Sequence, residues 1–194
     1  MKVIKAKTAG FCFGVKRAVD TVYKQVDTKC GQIYTYGPII HNEEVIKDMR
    51  DKGVIVLRSE EDLDMISQGT VIIRSHGVEK RIYEKIEQKG LRIVDATCPF
   101  VKKIHNIVSE KSGEGFHIII IGNPEHPEVV GIKGWAKDNV TVIQSAEDAE
   151  CFTADRKEKI CIVSQTTFNY NKFKDLVEKF EKKGYDILVL NTIC

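Results

Sequence analysis

One structural unit recurs along this sequence, and it restricts the possible folds more than any other feature. The unit runs from an apolar strand through a polar loop and an amphipathic helix to a second strand. It is clearest at TVIIRSHGVEKRIYEKIEQKGLRIVDATC, where Ile82 and Ile86 share one helical stripe and Gly90 follows a lysine. Three further copies begin at IYTYGPII, HIIIIGNP and ICIVSQTT.

Alternating strands and helices predict an α/β fold with parallel sheets and right-handed crossovers. The uninterrupted apolar run Ile118 to Ile121 is typical of a strand that is covered on both faces. We predict two Rossmann-like lobes, residues 13–97 and residues 98–193, because each range has the usual size of a domain. No flexible linker separates these ranges in the sequence, so the junction is expected near Cys98.

Charge and hydropathy exclude several classes of partner. The chain has 194 residues with 30 Lys and Arg against 28 Asp and Glu, a formal charge of +2. That balance argues against binding to nucleic acid. There is no apolar run of signal-peptide length and none near the roughly 20 residues of a membrane-spanning helix. These observations predict a cytoplasmic protein without a membrane partner.

The loops that follow the predicted strands carry the candidate binding residues, because ligands of such sheets lie beyond the carboxyl ends of the strands. His41, His76 and His126 fall at equivalent loop positions of three copies. Three imidazoles can bind a phosphate or diphosphate and pass protons near pH 7, or they can bind a catalytic zinc ion. Glu128 suits a proton donor if its pocket raises its pKa, or it is a solvated loop carboxylate. Further polar residues at strand ends are Ser164, Thr166 and Thr167.

Three of the six cysteines lie in positions that favour metal binding. Cys12 precedes a helix, whose N-terminus favours a thiolate, while Cys98 and Cys194 follow the second strand of two copies. Pro99 is interpreted as the residue that stops the strand before Cys98. Three thiolates could hold a [4Fe-4S] cluster with one iron open to substrate, although the cysteines are not closely spaced. Cys161 is expected to be a small buried residue, and Cys30 and Cys151 have no assigned role.

Six motifs together resemble a known family. AGFCFGVKRAV, GPIIHN, RSHGV, DATCPFV, HPEVVGI and SQTT occur in the order found in 4-hydroxy-3-methylbut-2-enyl diphosphate reductases, the LytB/IspH family. The resemblance implies an oxidoreductase of the last step of the non-mevalonate isoprenoid pathway. Its reaction converts 4-hydroxy-3-methylbut-2-enyl diphosphate to isopentenyl and dimethylallyl diphosphates by reductive dehydroxylation.

The resemblance also implies roles for particular residues. Cys12, Cys98 and Cys194 would bind a [4Fe-4S] cluster, and a ferredoxin or flavodoxin would deliver electrons. The substrate diphosphate would contact the three histidines of the strand-end loops, His41, His76 and His126, together with Thr166 and Thr167. Glu128, Thr166 and His126 would be catalytic, with Glu128 delivering protons.

The family has a three-lobed, pseudo-threefold fold, and this chain ends where a third lobe would begin. The resemblance therefore implies that residues 1–12 form a strand segment of a third lobe that starts at Cys194. We expect a fragment of this extent to be inactive by itself. Two alternatives are a zinc-dependent hydrolase or deaminase, whose H-x-E element lacks the following P-C-x-x-C, and a non-catalytic phosphate-binding α/β module, which lacks a GxGxxG or P-loop motif.

Overall fold

The computed structural model describes residues 3–4, 6–7, 9–28 and 31–194. These residues form two four-stranded parallel sheets with surrounding helices. The elements are, in chain order, α1 (Phe13–Thr28), β1 (Ile33–Tyr36), α2 (Glu43–Asp51), β2 (Ile55–Leu57), α3 (Glu60–Asp64), β3 (Thr70–Ile73), α4 (Lys80–Gln88), β4 (Arg92–Asp95), α5 (Pro99–Gly113), β5 (His117–Ile121), α6 (Pro127–Lys133), β6 (Val140–Ile143), α7 (Ala146–Cys151), β7 (Lys159–Ser164), α8 (Tyr170–Lys182) and β8 (Asp186–Val189).

All four predicted copies of the repeat are confirmed. They correspond to β1-α2-β2, β3-α4-β4, β5-α6-β6 and β7-α8-β8. The sheets have orders β2-β1-β3-β4 and β6-β5-β7-β8, so the second sheet repeats the arrangement of the first. Because every strand pair is parallel, the carboxyl ends of the four strands of each sheet lie along one edge.

The described residues divide into two compact units. The first unit contains the chain up to Ser75 together with Gly90–Cys98, and the second contains His76–Lys89 together with Pro99–Cys194. The predicted lobes, 13–97 and 98–193, thus differ from this division at residues 76–89, which include helix α4, and at Cys98, which belongs to the first unit. The assignment of residues 1–12 to a third lobe stays a prediction, and residues 1, 2, 5 and 8 of that segment, like Cys30, lie outside the described residues.

Local sequence accounts for the ends of several helices. The side chain of Asn42 caps α2 by accepting a hydrogen bond from Val45 N–H at 3.0 Å. Gly90 follows Lys89, the C-cap residue of α4, and has φ of +67°, a conformation that glycine commonly adopts directly after a helix. Pro99 is the first residue of α5, whereas β4 already ends at Asp95. The expectation that Pro99 stops the strand was therefore wrong, because proline here begins a helix.

Each unit has its own apolar core. In the first unit α1 packs Ala18 and Val22 against the sheet, where Ile72 is fully buried. In the second unit the strand Ile118–Ile121 is buried along its whole length, as expected for a strand covered on both faces. Cys161 lies in β7 without exposure to solvent, which confirms its predicted structural position, and burial raises the pKa of its thiol to about 11. Within the described part of the chain, every helix is too short or too polar to span a lipid bilayer.

Candidate functional site

Cys98 lies in the loop after β4, and its side chain reaches the start of helix α1. Its Sγ atom packs against Gly14, where an added Cβ would be only 2.5 Å from the sulfur. Cys12 lies at the N-cap of the same helix, since its carbonyl oxygen accepts a hydrogen bond from Lys16 N–H at 2.9 Å. The first unit therefore places two of the three predicted cluster ligands at one helix end.

This helix end suits thiolate chemistry. The N-terminus of a helix carries a partial positive charge, which favours an anionic sulfur over a neutral thiol. Cys12 is exposed and Cys98 is half-buried, so both residues remain accessible. A side chain at position 14 would overlap the Cys98 sulfur. These residues fit the sulfur ligands of an iron-sulfur cluster.

Arg17 supports the loop that carries Cys98, and sequence analysis assigned it no role. Its Nη1 donates to the carbonyl oxygen of Thr97 at 2.9 Å, and its Nη2 donates to that of Asp95 at 3.2 Å. The backbone N–H of Cys98 also donates to Ser75 O at 2.9 Å. The available signal was the position of Arg17 within the AGFCFGVKRAV motif, about one and a half helical turns after Cys12.

His41 follows strand β1 in the first unit. The loop before it is fixed by Ser75, whose N–H and hydroxyl both donate to Ile39 O, at 3.2 and 2.9 Å. His41 is exposed and immediately precedes Asn42, the N-cap of α2. Its position beyond the carboxyl end of a strand is as predicted, while its role in binding diphosphate stays a prediction.

Glu128 is buried in the second unit, with 2% of its surface exposed. Its Oε1 accepts a hydrogen bond from Thr166 N–H at 2.6 Å, and its Oε2 accepts one from the Thr166 hydroxyl at 2.7 Å. Burial raises the pKa of Glu128, and the two hydrogen bonds from Thr166 partly oppose that rise. The alternative of a solvated loop carboxylate is wrong, because the side chain is enclosed.

His126 caps the helix that carries Glu128. Its Nδ1 accepts a hydrogen bond from Glu128 N–H at 3.2 Å, which leaves Nε2 as the protonated nitrogen of a neutral ring. The ring of His76 meets that of His126 edge to face, with centroids 5.5 Å apart. Each ring offers a nitrogen within 4.8 Å of one on the other. Two imidazoles at this distance can bind one anion or one metal ion between them.

Thr167 and Gln165 complete the loop after β7. Thr167 is exposed, and its hydroxyl accepts a hydrogen bond from Gln165 Nε2 at 2.9 Å. The Gln165 Oε1 accepts from Asn123 N–H at 3.1 Å, which ties this loop to the loop after β5. Sequence analysis quoted the SQTT motif but did not select Gln165, because a bridging amide cannot be recognised before its partners are known.

Cys194 occupies the same fold position in the second unit as Cys98 in the first. The N–H of Cys194 donates to Thr166 O at 2.8 Å, as that of Cys98 donates to Ser75 O. Ser75 and Thr166 each lie two residues beyond the matching ends of β3 and β7. The prediction that the two cysteines occupy related positions is confirmed, whereas their role as metal ligands stays a prediction.

The second unit therefore gathers groups that can hold and transfer protons. A carboxyl group with a raised pKa is hydrogen-bonded to a hydroxyl, and an imidazole lies two residues away on the same helix start. The first unit gathers thiols at a helix end. Proton transfer and sulfur ligation are the two kinds of chemistry that the described residues support directly.

A model of the family described as "LytB protein" matches residues 3–194 of this chain. The 4-hydroxy-3-methylbut-2-enyl diphosphate reductase of Caldanaerobacter subterraneus subsp. tengcongensis is 45% identical over 195 residues, covering 100% of this chain and 67% of that protein. The reductase of the same name from Clostridioides difficile is 42% identical over 195 residues, covering 100% of this chain and 69% of that protein. The chain thus spans about two thirds of the length of these relatives.

Two solved structures have the same fold. The E-1-hydroxy-2-methyl-but-2-enyl-4-diphosphate reductase of Plasmodium falciparum has a TM-score of 0.90 and 30% identity, covering 97% of this chain and 59% of that one. The second is a structure of (E)-4-hydroxy-3-methyl-but-2-enyl diphosphate reductase, described as the terminal enzyme of the non-mevalonate pathway. It has a TM-score of 0.83 and 37% identity, covering 99% of this chain and 68% of that one. The predicted α/β fold is confirmed by both.

Proposed function

Because the chain belongs to the LytB protein family, we propose that it takes part in the reductive dehydroxylation of 4-hydroxy-3-methylbut-2-enyl diphosphate. The reaction consumes two electrons and two protons. One proton leaves with the hydroxyl oxygen as water, and the other is added to carbon, so that isopentenyl or dimethylallyl diphosphate is formed. The match to reductases of this name along the whole chain supports the proposal.

Cys12, Cys98 and Cys194 are the proposed protein ligands of a [4Fe-4S] cluster. Bound to them, the cluster would supply the electrons of the reduction and an iron atom that is open to the substrate hydroxyl. The chain contributes sulfur atoms held in place by backbone. Cys98 and Cys194 donate equivalent N–H hydrogen bonds, and Gly14 leaves room for the Cys98 sulfur.

The proposed diphosphate ligands are His41, His76 and His126, with Thr166 and Thr167. Imidazole N–H groups donate to phosphate oxygens, and a protonated ring adds a positive charge. The hydrogen bond from Glu128 N–H to Nδ1 of His126 directs the Nε2 proton of that ring away from the helix start. His126 can therefore donate to a bound anion without a change of tautomer.

The structural observation that best supports the proposal is the buried contact between Glu128 and Thr166. A carboxyl group with a raised pKa keeps its proton nearer to neutral pH, so it can protonate a leaving hydroxyl group. The Thr166 hydroxyl lies 2.7 Å from Glu128 Oε2 and donates to it when the carboxyl is ionised. In the protonated carboxyl this hydrogen bond reverses, so that Oε2–H donates to the Thr166 hydroxyl, which can then give its own proton to the substrate. Glu128, Thr166 and His126 are the proposed catalytic residues.

The remaining assignments are also part of this proposal. An external donor of the ferredoxin or flavodoxin type would provide electrons, and the location would be cytoplasmic, as predicted from the sequence. The alternatives of a zinc hydrolase and of a non-catalytic phosphate-binding module gain no support from the relatives, which are named as reductases.

The test uses the intact protein that contains this chain, purified without oxygen and supplied with a low-potential chemical reductant. We expect a brown protein that contains iron and sulfide and converts the allylic diphosphate to both isoprenoid diphosphates. Cys98→Ser should lose iron and colour, whereas the matched variant at an exposed cysteine, Cys151→Ser, should retain both. A colourless wild-type protein that carries stoichiometric zinc would contradict the proposal.

A further inference from the structure

A cavity of about 530 Å³ lies in the first unit, beside the carboxyl ends of its strands. Gly37 follows β1, Arg58 follows β2 and Arg74 follows β3, so three neighbouring strand ends contribute to the lining. Helix α2 forms the opposite wall through its first turns. In parallel α/β sheets this edge is where ligands bind, and the volume falls in the range of about 300–1,000 Å³ for small-molecule sites.

The lining has more positive than negative charge. Four cationic side chains contribute to it, against the two carboxylates Glu43 and Glu44; the cations are Lys47, Arg50, Arg58 and Arg74. Among the residues that the structure describes, the side chains of Lys47, Arg50 and Arg58 form no ion pair within 4.0 Å. The net charge of the lining is thus about +2, which an anion of two negative charges would balance.

Arg74 is held in this cavity by the shape of the loop after β1. A Cβ atom at Gly37 would lie 2.4 Å from Arg74 Nη1, so the guanidinium packs against backbone that has no side chain. Gly37 also has φ of +72°, which disfavours other residues at this position. Burial lowers the pKa of Arg74, yet an arginine remains cationic at neutral pH. A partly dehydrated guanidinium gains more from an anion than an exposed one does.

The second unit shows that the fold does not require these cations. Gly122, Gln144 and Gln165 follow β5, β6 and β7 at the matching strand ends, so both arginines are replaced by neutral glutamines there. The same strand order is therefore built with and without positive charge at this edge. The strand order therefore does not require basic residues at this edge. Their presence in the first unit is explained by the binding of an anion.

We propose that this cavity binds a small phosphorylated molecule carrying about two negative charges, separately from the residues assigned to the reaction. Guanidinium groups bind phosphate oxygens through paired N–H donors, and a phosphate group brings up to two negative charges in one group, whereas a carboxylate brings only one. Arg74 forms the inner contact and Arg58 the outer one, with Lys47 and Arg50 completing the wall. None of the residues proposed to act on the substrate lines this cavity.

Hydrogen exchange measured by mass spectrometry, with inorganic pyrophosphate as the probe and the intact protein as the sample, tests this site locally. Pyrophosphate should slow exchange in the segment that spans α2 and Arg58. In Arg58→Gln the pyrophosphate concentration for half protection should rise at least about tenfold, since one charge-assisted contact is lost. Arg74→Gln should behave similarly, and Arg92→Gln, which removes the same charge at the amino end of β4, should match wild type.

Three results with the wild-type protein and the pocket variants would overturn the proposal. They are no protection of α2 at saturating pyrophosphate, unchanged protection in both pocket variants, and equal protection by citrate at the same concentration. His41→Ala separates this site from the proposed reaction, because His41 is a proposed diphosphate ligand that directly precedes the α2 cap and does not line the cavity. Protection of α2 should persist in that variant while turnover falls. Loss of α2 protection in His41→Ala would show that the cavity is not an independent site, whatever the outcome for turnover.

Discussion

The two units have the same strand order but different chemistry at their strand ends. At the ends of β2 and β3 the first unit has Arg58 and Arg74, whereas the second has Gln144 and Gln165 after β6 and β7. The helix starts differ as well. Glu44 is the second residue of α2 and is exposed, while Glu128 is the second residue of α6 and is buried. Topology thus determines where residues are presented, and burial determines what those residues can do.

The two cysteine loops illustrate the same contrast. Cys98 and Cys194 donate equivalent backbone hydrogen bonds, but different side chains support them. In the first unit the guanidinium of Arg17 reaches from α1 to the loop. In the second unit the Thr192 hydroxyl accepts from Ser164 N–H at 2.8 Å and donates to Ser164 O at 2.7 Å. Equivalent backbone positions are therefore stabilised by unrelated side-chain contacts.

The largest effect is expected from removing the proton of the buried carboxyl group. Glu128→Gln keeps the size of the side chain, and its amide oxygen can still accept from Thr166 N–H while its NH2 group donates to the Thr166 hydroxyl. The amide cannot donate a proton as an acid. Turnover should fall by at least about 100-fold, the usual contribution of a general acid, while iron content stays at the wild-type level. Steady-state assays of the intact protein measure the former and iron analysis the latter.

Glu147→Gln is the matched control, since Glu147 is also the second residue of a helix but is exposed. It should leave turnover near the wild-type value. Near-normal turnover in Glu128→Gln would instead show that burial at the start of α6 has no catalytic consequence.

A second prediction concerns the space that Gly14 leaves for Cys98. Gly14→Ala would place a Cβ 2.5 Å from the sulfur, so either the cysteine loop or α1 must move. We expect a loss of up to about 3 kcal/mol in the free energy of unfolding and a lower iron content per protein. Gly113→Ala, at the end of α5 where no atom lies within 4 Å of the added Cβ, should lower neither quantity. Full iron content in Gly14→Ala would contradict the proposed placement of a cluster ligand beside Gly14.

A third prediction compares the supports of the two cysteine loops. Arg17→Met removes a cationic donor from two carbonyl oxygens and should lower the free energy of unfolding by about 2 kcal/mol. Thr192→Val leaves Ser164 N–H without its hydroxyl partner and should cost about 1.5 kcal/mol. Urea denaturation measures both. Lys16→Met, which breaks only the exposed pair with Asp20, should change stability by less than about 0.5 kcal/mol. Equal effects of the Arg17 and Lys16 substitutions would remove Arg17 as a support.

The smallest expected effect is a pH dependence of stability caused by Glu128. Its pKa is raised in the folded state, so folding favours the protonated form; this contribution is complete below the unfolded pKa and is lost as pH rises through the folded pKa. The stability of Glu128→Gln relative to wild type should therefore increase from about pH 4.5 upward, by about 1.4 kcal/mol for each unit by which the pKa is raised. Urea denaturation at several pH values measures this difference. A difference that falls with rising pH would mean that the Thr166 hydrogen bonds outweigh burial.

Much of the fold could be predicted from local patterns. All four repeats were recognised because each apolar strand and each amphipathic helix is encoded within about 30 consecutive residues. The Lys-Gly turn after α4 could also be predicted locally, because glycine readily adopts the positive φ that Gly90 has there. The loops with His41, His76 and His126 were located by the same reasoning, because strand ends follow directly from strands.

Other features of the site depend on partners far away in the chain. Arg17 donates hydrogen bonds to Asp95 and Thr97, which lie 78 and 80 positions later in the chain. Gln165 accepts a hydrogen bond from Asn123, which lies 42 positions earlier. Pro99 was misinterpreted because a proline after a strand and a proline at a helix start look alike in sequence. The first-unit cavity was missed because its cations come from three separate segments.

By itself, the sequence determined which segments become strands and helices, which residues follow the strands, and which family motifs the chain carries. These properties depend on neighbours along the chain, and so they can be recognised before folding is known. Only the tertiary structure decided that Glu128 is buried against Thr166, that Cys98 packs on Gly14, and that residues 76–89 join the second unit. Burial and contact are determined by residues that are distant in sequence, and they change the pKa and the accessible space that chemistry requires.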